Sequence, residues 1–277
     1  MPELPEVELV VQSLNKLVSN RKIIAAELIR ARLAPFDPPA DFSEKLINST
    51  INFVHRRGKH ILFDLDNART LITHLRMSGR FMLLPIEGDL PKFTHAIFYF
   101  EDETRLVFED QRHFGFMKIA ETANLYEAKE LKKLAPEPFS DEFDPKYLAT
   151  VLKASKRPLK LFLLDQTKVL GLGNIYASEA LFRAKLNPQT SSDKVSAKKS
   201  EILHQKIREV LSEAIAHISA SGVNHENVDE SYFESETESG WHVYDREHEP
   251  CVVCETPIRR IRQGARSTYF CPRCQGK

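Results

Sequence analysis

Cys251-Val-Val-Cys254-Glu-Thr-Pro-Ile-Arg-Arg260-Ile-Arg-Gln-Gly-Ala-Arg266-Ser-Thr-Tyr-Phe-Cys271-Pro-Arg-Cys274 lies at the C-terminal end of the sequence and holds all 4 cysteines of the chain. Two Cys-x-x-Cys pairs enclose sixteen residues. Each pair grips one ion from a tight turn, and four thiolates leave no coordination position for water. The spacing therefore predicts one closed, structural Zn2+ site on Cys251, Cys254, Cys271 and Cys274, with iron or free thiols as the alternatives. Between the pairs, Ile258–Arg262 and Arg266–Phe270 read as a β-hairpin. Residues Cys251–Lys277 carry six bases against one acid, Glu255. That asymmetry points to a nucleic-acid-binding finger whose tip arginine, Arg266, enters a groove.

Before the finger, Ser221–Gly240 is polar, acidic and poor in apolar residues, and reads as a long surface loop. From Pro145 to Ser221 the apolar spacing is helical. Asp144-Pro145 is a helix start, with Asp as N-cap and Pro in the first turn. A second helix begins near Arg157-Pro158, breaks at Gly171-Leu-Gly-Asn174, and resumes over Ile175–Lys185. Ser196 caps a long helix through Ile202, Ile207, Val210, Leu211 and Ile215. The two glycines are not a dinucleotide fingerprint, because no strand precedes them and a third glycine is missing. A helix–turn–helix whose turn offers backbone N–H groups to a phosphate fits better, with a plain helical hairpin as the alternative. Five bases against Asp165 between Lys153 and Lys168 favour phosphate.

From Lys22 to Ala120 the pattern is strand-like. Eight candidates (22–30, 50–54, 60–65, 70–75, 80–84, 96–101, 105–108 and 116–119) alternate with turns such as Asp37-Pro-Pro39 and Arg57-Gly58. Short strands at this spacing predict a sandwich or barrel. Three basic clusters fall in its loops: Arg56-Arg-Gly-Lys-His60, His74-Leu-Arg-Met-Ser-Gly-Arg80 and Asp110-Gln-Arg-His-Phe-Gly115. Singly each is a solvated turn; together they make a phosphate-binding rim. A Pro-containing linker, 121–145, joins this part to the helices.

The chain starts Met1-Pro-Glu-Leu-Pro-Glu-Val-Glu8. Val7, Val10, Val11, Leu14, Leu17 and Val18 predict a first helix. Removal of Met1 makes Pro2 a free secondary amine. An α-amino group has a reference pKa of about 7.7–8.0, so much of it is unprotonated near neutral pH and can form a Schiff base. Glu3 stands beside it as a proton donor or acceptor. The plainer alternative is a stiffened, capped helix start.

Taken with these segments, the chain resembles bacterial formamidopyrimidine-DNA glycosylases, of the same superfamily as endonuclease VIII. The resemblance runs nearly end to end. It rests on Met1–Glu8, Arg57-Gly-Lys-His60, His74-Leu-Arg-Met-Ser-Gly79, Arg112-His-Phe-Gly115, Arg157-Pro-Leu-Lys160, Leu163-Leu-Asp-Gln166, Gly171–Ala180 and Arg266-Ser-Thr-Tyr-Phe-Cys271. Leu4 looks like the formamidopyrimidine branch, since endonuclease VIII typically has glycine there. The resemblance implies a multidomain α+β fold: an N-terminal β-sandwich with a leading helix (1–135), a helix–two-turn–helix domain (136–240) and a β-hairpin zinc finger (241–277). It implies a base-excision repair glycosylase and abasic-site lyase with Pro2 as nucleophile, Glu3 moving protons and Glu6 as a supporting carboxylate. Met77, Arg112 and Phe114 would fill the gap left by a flipped nucleotide. Lys59, His74, Lys160, Asn174 and Arg266 map onto phosphate-contacting or catalysis-supporting positions. The partner implied is damaged double-stranded DNA. Ser221–Asp229 departs from the glycine/serine-rich loop and Leu-Arg-Asp-Tyr of members that favour 8-oxoguanine, and Val169-Leu170 departs from the commoner Val-Ala. Oxidised purines are the expected lesions. Oxidised pyrimidines, or a non-catalytic DNA-binding module, are the alternatives.

Composition sets bounds. Apolar content of 42% and charged content of 28% fit a soluble globular chain. Formal net charge is +0, so charge placement, not its sum, speaks for nucleic acid. No apolar run approaches a membrane span of roughly 20 residues. The first residues are acidic, unlike a signal peptide. A cytoplasmic monomer is expected.

Overall fold

The computed structural model describes residues 1–220 and 240–276. The acidic loop expected over 221–240 lies, apart from Gly240, outside the described residues. The chain divides into two compact units.

The first unit runs through Lys132 and takes in the C-terminal end of the last long helix. It begins with helix α1, Leu4–Val18. Leu4, Leu14 and Val18 are fully buried, as the helical spacing requires. Eight strands follow: β1 Ile23–Leu28, β2 Ile51–Arg57, β3 His60–Leu65, β4 Arg69–His74, β5 Gly79–Pro85, β6 Thr94–Phe100, β7 Thr104–Asp110 and β8 Phe116–Glu121. Every expected strand is present. They form two antiparallel four-stranded sheets, ordered β1-β6-β7-β5 and β2-β3-β4-β8. The sheets share one apolar core in which Phe81 packs edge-on against Phe63 and Phe108, centroids 5.4 and 5.1 Å apart. This is the β-sandwich expected.

Helix α2, Pro39–Leu46, was not expected there; the Asp37-Pro-Pro39 stretch reads as a turn. Pro39 occupies its first position, and Phe42 and Leu46, four residues apart, are its only fully buried pair. Helix α1 is riveted to the edge strand β2. The Asn15 amide donates to the Val54 carbonyl, and its oxygen accepts from the Val54 N–H at 2.8 Å. Two turns nearer the N-terminus, Glu8 pairs with Arg56 at 2.5 Å.

The second unit holds helices α3 Pro145–Lys153, α4 Leu159–Leu163, α5 Asn174–Arg183 and most of α6 Ala197–Ala220, together with the hairpin β9 Arg259–Gln263 and β10 Arg266–Phe270. Asp144 caps α3 by accepting from the Tyr147 N–H at 2.6 Å, and Ser196 Oγ accepts from the Lys199 N–H at the start of α6. The turn between α4 and α5 is braced by one side chain. Gln166 donates to the Leu164 and Leu172 carbonyls and accepts from the Gly171 N–H at 2.9 Å. Phe182 of α5 packs into the small core formed by Val243, Cys251, Ile258, Tyr269 and Cys271. Gln263 and Gln275 donate to the Pro188 and Leu186 carbonyls. The finger and helices thus form one unit. Among the described residues, no helix is long and apolar enough to cross a membrane.

Candidate active site

In the first unit, Pro2, Glu3 and Glu6 are buried at the start of α1. Glu3 is the N-cap and Glu6 the N3 residue of a capping box. The Glu6 carboxylate accepts from the Glu3 N–H at 2.7 Å. The reciprocal bond satisfies a first-turn donor that a helix start otherwise leaves without an intrahelical partner. The capped helix start read from the sequence is present, and the residues that form the cap stand immediately after Pro2.

Helix α1 packs along β2 and β3. Their connecting turn, made possible by Gly58 at φ 59°, carries Lys59, which is buried. The adjacent His60 ring stands edge-on to His74 at the end of β4, centroids 4.8 Å apart. Burial holds the His74 imidazole well below its usual range, reinforced by His60, Arg76 and Lys59. Its Nδ1 accepts from the Arg76 N–H at 2.9 Å. A neutral ring accepting at Nδ1 carries its proton at Nε2, so His74 is a hydrogen-bond donor rather than a cation.

Met77 and Phe114 are apolar yet 40% and 49% exposed, so neither is held by a core. Arg112 lies over the Phe114 ring at 5.3 Å. The two loops carrying these residues meet on Asp110, which is fully buried. Asp110 accepts from Ser78 Oγ at 2.5 Å, the Arg112 N–H at 3.2 Å and the Gly115 N–H at 2.6 Å. Ser78 Oγ in turn accepts from the Arg112 N–H at 3.0 Å. Gly79 and Gly115 let both loops settle on Phe108; an added Cβ would meet that ring at 2.7 and 2.8 Å. His113, at φ 60°, stacks on His95. The sequence shows Asp110 only as a member of a basic cluster, and its role needs the pairing of β5 with β7.

In the second unit, Lys160 is fully buried. Its ammonium donates to the Asn174 carbonyl at 2.7 Å and to Ser178 Oγ. It is anchored to the first turn of α5. Asn174 Nδ2 donates to the Ser267 carbonyl at 3.0 Å, bringing α5 beside the exposed Arg266 at the start of β10. Glu179, which sequence reasoning passes over, is buried and accepts from the His242, Val243 and Tyr244 N–H groups at 2.9–3.0 Å. These bonds tie α5 to the segment leading into the finger.

The four cysteine sulfurs lie within 4.8 Å of one another. Three of their separations are 3.4, 3.5 and 3.9 Å. A tetrahedron built on Zn–S bonds of about 2.3 Å has edges of about 3.8 Å. The site fits one structural zinc, held by all four thiolates.

With this geometry in hand, comparison with known proteins is decisive. The formamidopyrimidine-DNA glycosylase N-terminal domain matches residues 1–117, and the H2TH domain of the same enzymes matches residues 134–226. The zinc finger found in FPG and IleRS matches residues 249–276. The chain belongs to the formamidopyrimidine-DNA glycosylase family. A curated member from Listeria innocua is 39% identical over 280 residues, covering 99% of this chain and 100% of the relative. The LlFpg protein in complex with a THF-DNA and an inhibitor superposes with a TM-score of 0.91 at 33% identity, covering 100% of both chains. MutM in complex with DNA containing carbocyclic 8-oxo-G superposes at 0.89, also at 33% identity and 100% coverage of both. Three domain types, in order and over almost the whole chain, make this family resemblance one of architecture as well as motif.

Proposed function

We propose that this chain excises oxidised purines, 8-oxoguanine and formamidopyrimidines, from duplex DNA and then cuts the strand at the abasic site. The observation that carries this reading is the buried Pro2–Glu3 start of α1, held by the capping box and by the rivets to β2. Such rigidity suits a nucleophile that must meet one sugar carbon.

The damaged nucleotide leaves the stack at a cost of a few kcal/mol. Met77, Arg112 and Phe114 fill its place and face the orphaned base. With Met1 removed, the Pro2 nitrogen lone pair attacks the sugar C1′. The glycosidic C–N bond breaks, and its electron pair leaves with the base, which takes up a proton. Glu3 passes a proton to the sugar ring oxygen as the ring opens, leaving an iminium between Pro2 and C1′. The iminium acidifies the C2′–H bond. Loss of that proton expels the 3′ phosphate, a second elimination expels the 5′ phosphate, and water releases Pro2.

Lys59, neutral His74, Asn174 and Arg266 hold backbone phosphates. Lys160 acts by fixing the α5 terminus, whose positive dipole end suits a phosphate. The zinc supplies no chemistry in these steps; it shapes the finger. We further propose a monomer acting on cellular DNA.

A panel of duplexes, each with a single lesion, tests the substrate class. Faster excision of 8-oxoguanine and formamidopyrimidine than of oxidised pyrimidines is expected. Equal or faster excision of pyrimidines would overturn it.

A further inference from the structure

Met77 and the pair Arg112–Phe114 sit on different loops, one between β4 and β5, the other between β7 and β8. To act as one wedge they need a fixed separation. Pairing of β5 with β7 brings the two loops side by side, and one carboxylate then bonds to both of them. Asp110 spends one oxygen on Ser78 Oγ and the Arg112 N–H, and the other on the Gly115 N–H. Ser78 immediately follows Met77, and Gly115 immediately follows Phe114. A buried carboxylate accepting three bonds is costly to disturb, because each lost acceptor leaves a donor unsatisfied.

We infer that Asp110, clasped to Ser78, is a positioning residue that fixes Met77 relative to Arg112 and Phe114, and so sets how strictly the base opposite the lesion is discriminated. Asp110 is fully buried and would touch neither DNA nor the reacting sugar. The inference rests on the wedge reading given above. Asp110→Asn preserves shape but turns one acceptor into a donor. Whichever way the new amide turns, its NH2 faces either the Arg112 N–H or the Gly115 N–H, so the loop carrying Arg112 and Phe114 loses a bond and is loosened.

The test compares wild type, Asp110→Asn, Ser78→Ala and Arg112→Ala. Excision of 8-oxoguanine is timed opposite each of the four bases, alongside strand cleavage at a preformed abasic site in single-stranded DNA, where no partner base exists. Asp110→Asn should slow duplex excision by roughly tenfold to a hundredfold, the effect of an ångström-scale misplacement. It should compress the ratio between partner bases as Arg112→Ala does, and leave single-strand cleavage unchanged. An unaltered partner-base ratio in Asp110→Asn, while Arg112→Ala compresses it, would overturn the clasp. Equal losses on duplex and single strand would overturn it as well. If Arg112→Ala itself leaves the ratio intact, the wedge reading fails and the clasp falls with it. Should Asp110→Asn lose its cooperative thermal transition, Ser78→Ala, which keeps the carboxylate and its Gly115 bond, carries the same comparison.

Discussion

At His60 an imidazole is packed edge-on against His74, and burial, the largest influence, pushes its pKa down to about 4 from the usual 6.5. Above about pH 6.5 both folded and unfolded chains hold the ring neutral. Between there and about pH 4 the unfolded chain takes up a proton that the folded chain refuses. Stability is therefore lost as pH falls through that window, by up to about 3 kcal/mol. Calorimetry of wild type and His60→Phe between pH 7 and 4.5 should show a flatter acid dependence in the variant. The same slope in both would remove His60 as its source. At this scale the cysteines were fully legible, because thiolate spacing alone defines a metal site. The environment of Lys160 was not: a basic stretch shows its charge, but not that the side chain is buried on the Asn174 carbonyl.

At the scale of elements, α1 is positioned by a buried apolar face and by polar contacts to β2. The Asn15–Val54 pair joins helix to strand through two hydrogen bonds across 39 residues of sequence. Replacing Asn15 with Ala should cost about 1–3 kcal/mol, since two backbone groups of β2 lose a partner. It should slow excision more than it weakens DNA binding, because Pro2 loses alignment while the phosphate contacts remain. Urea unfolding, with single-turnover rates and titrations on the same variant, checks this; equal losses in rate and affinity would contradict it. The helices and strands were readable where periodicity was strong. All eight strands and the Asp144 and Ser196 caps follow from local pattern. Helix α2 did not, because Pro38 and Pro39 at its start signal a turn as well as a helix start, and one Phe42–Leu46 pair is too short a stripe to decide. The Asp110 clasp is invisible for another reason: it depends on strand register, which brings Gly79 opposite Asp110.

Across the whole molecule, the finger belongs to the same compact unit as the turn between α4 and α5. Cys251 and Cys271 share a core with Phe182 of α5, and Ser267 binds Asn174. Structural zinc contributes folding free energy of about 10 kcal/mol or more in small fingers. Cys251→Ala should thus lose the metal, lower the thermal transition and weaken binding to abasic-site DNA together. Metal analysis and binding titrations on one preparation read this out, and retained affinity without zinc would make the finger dispensable. The proposed nucleophile lies at the other end of the chain. Protein shown by mass spectrometry to begin at Pro2 should be incubated with abasic-site DNA and sodium borohydride, and the adduct mapped by digestion. A covalent adduct on the peptide that begins at Pro2 is the predicted result; no adduct, or one carried by a lysine instead, would contradict catalysis by the terminal amine.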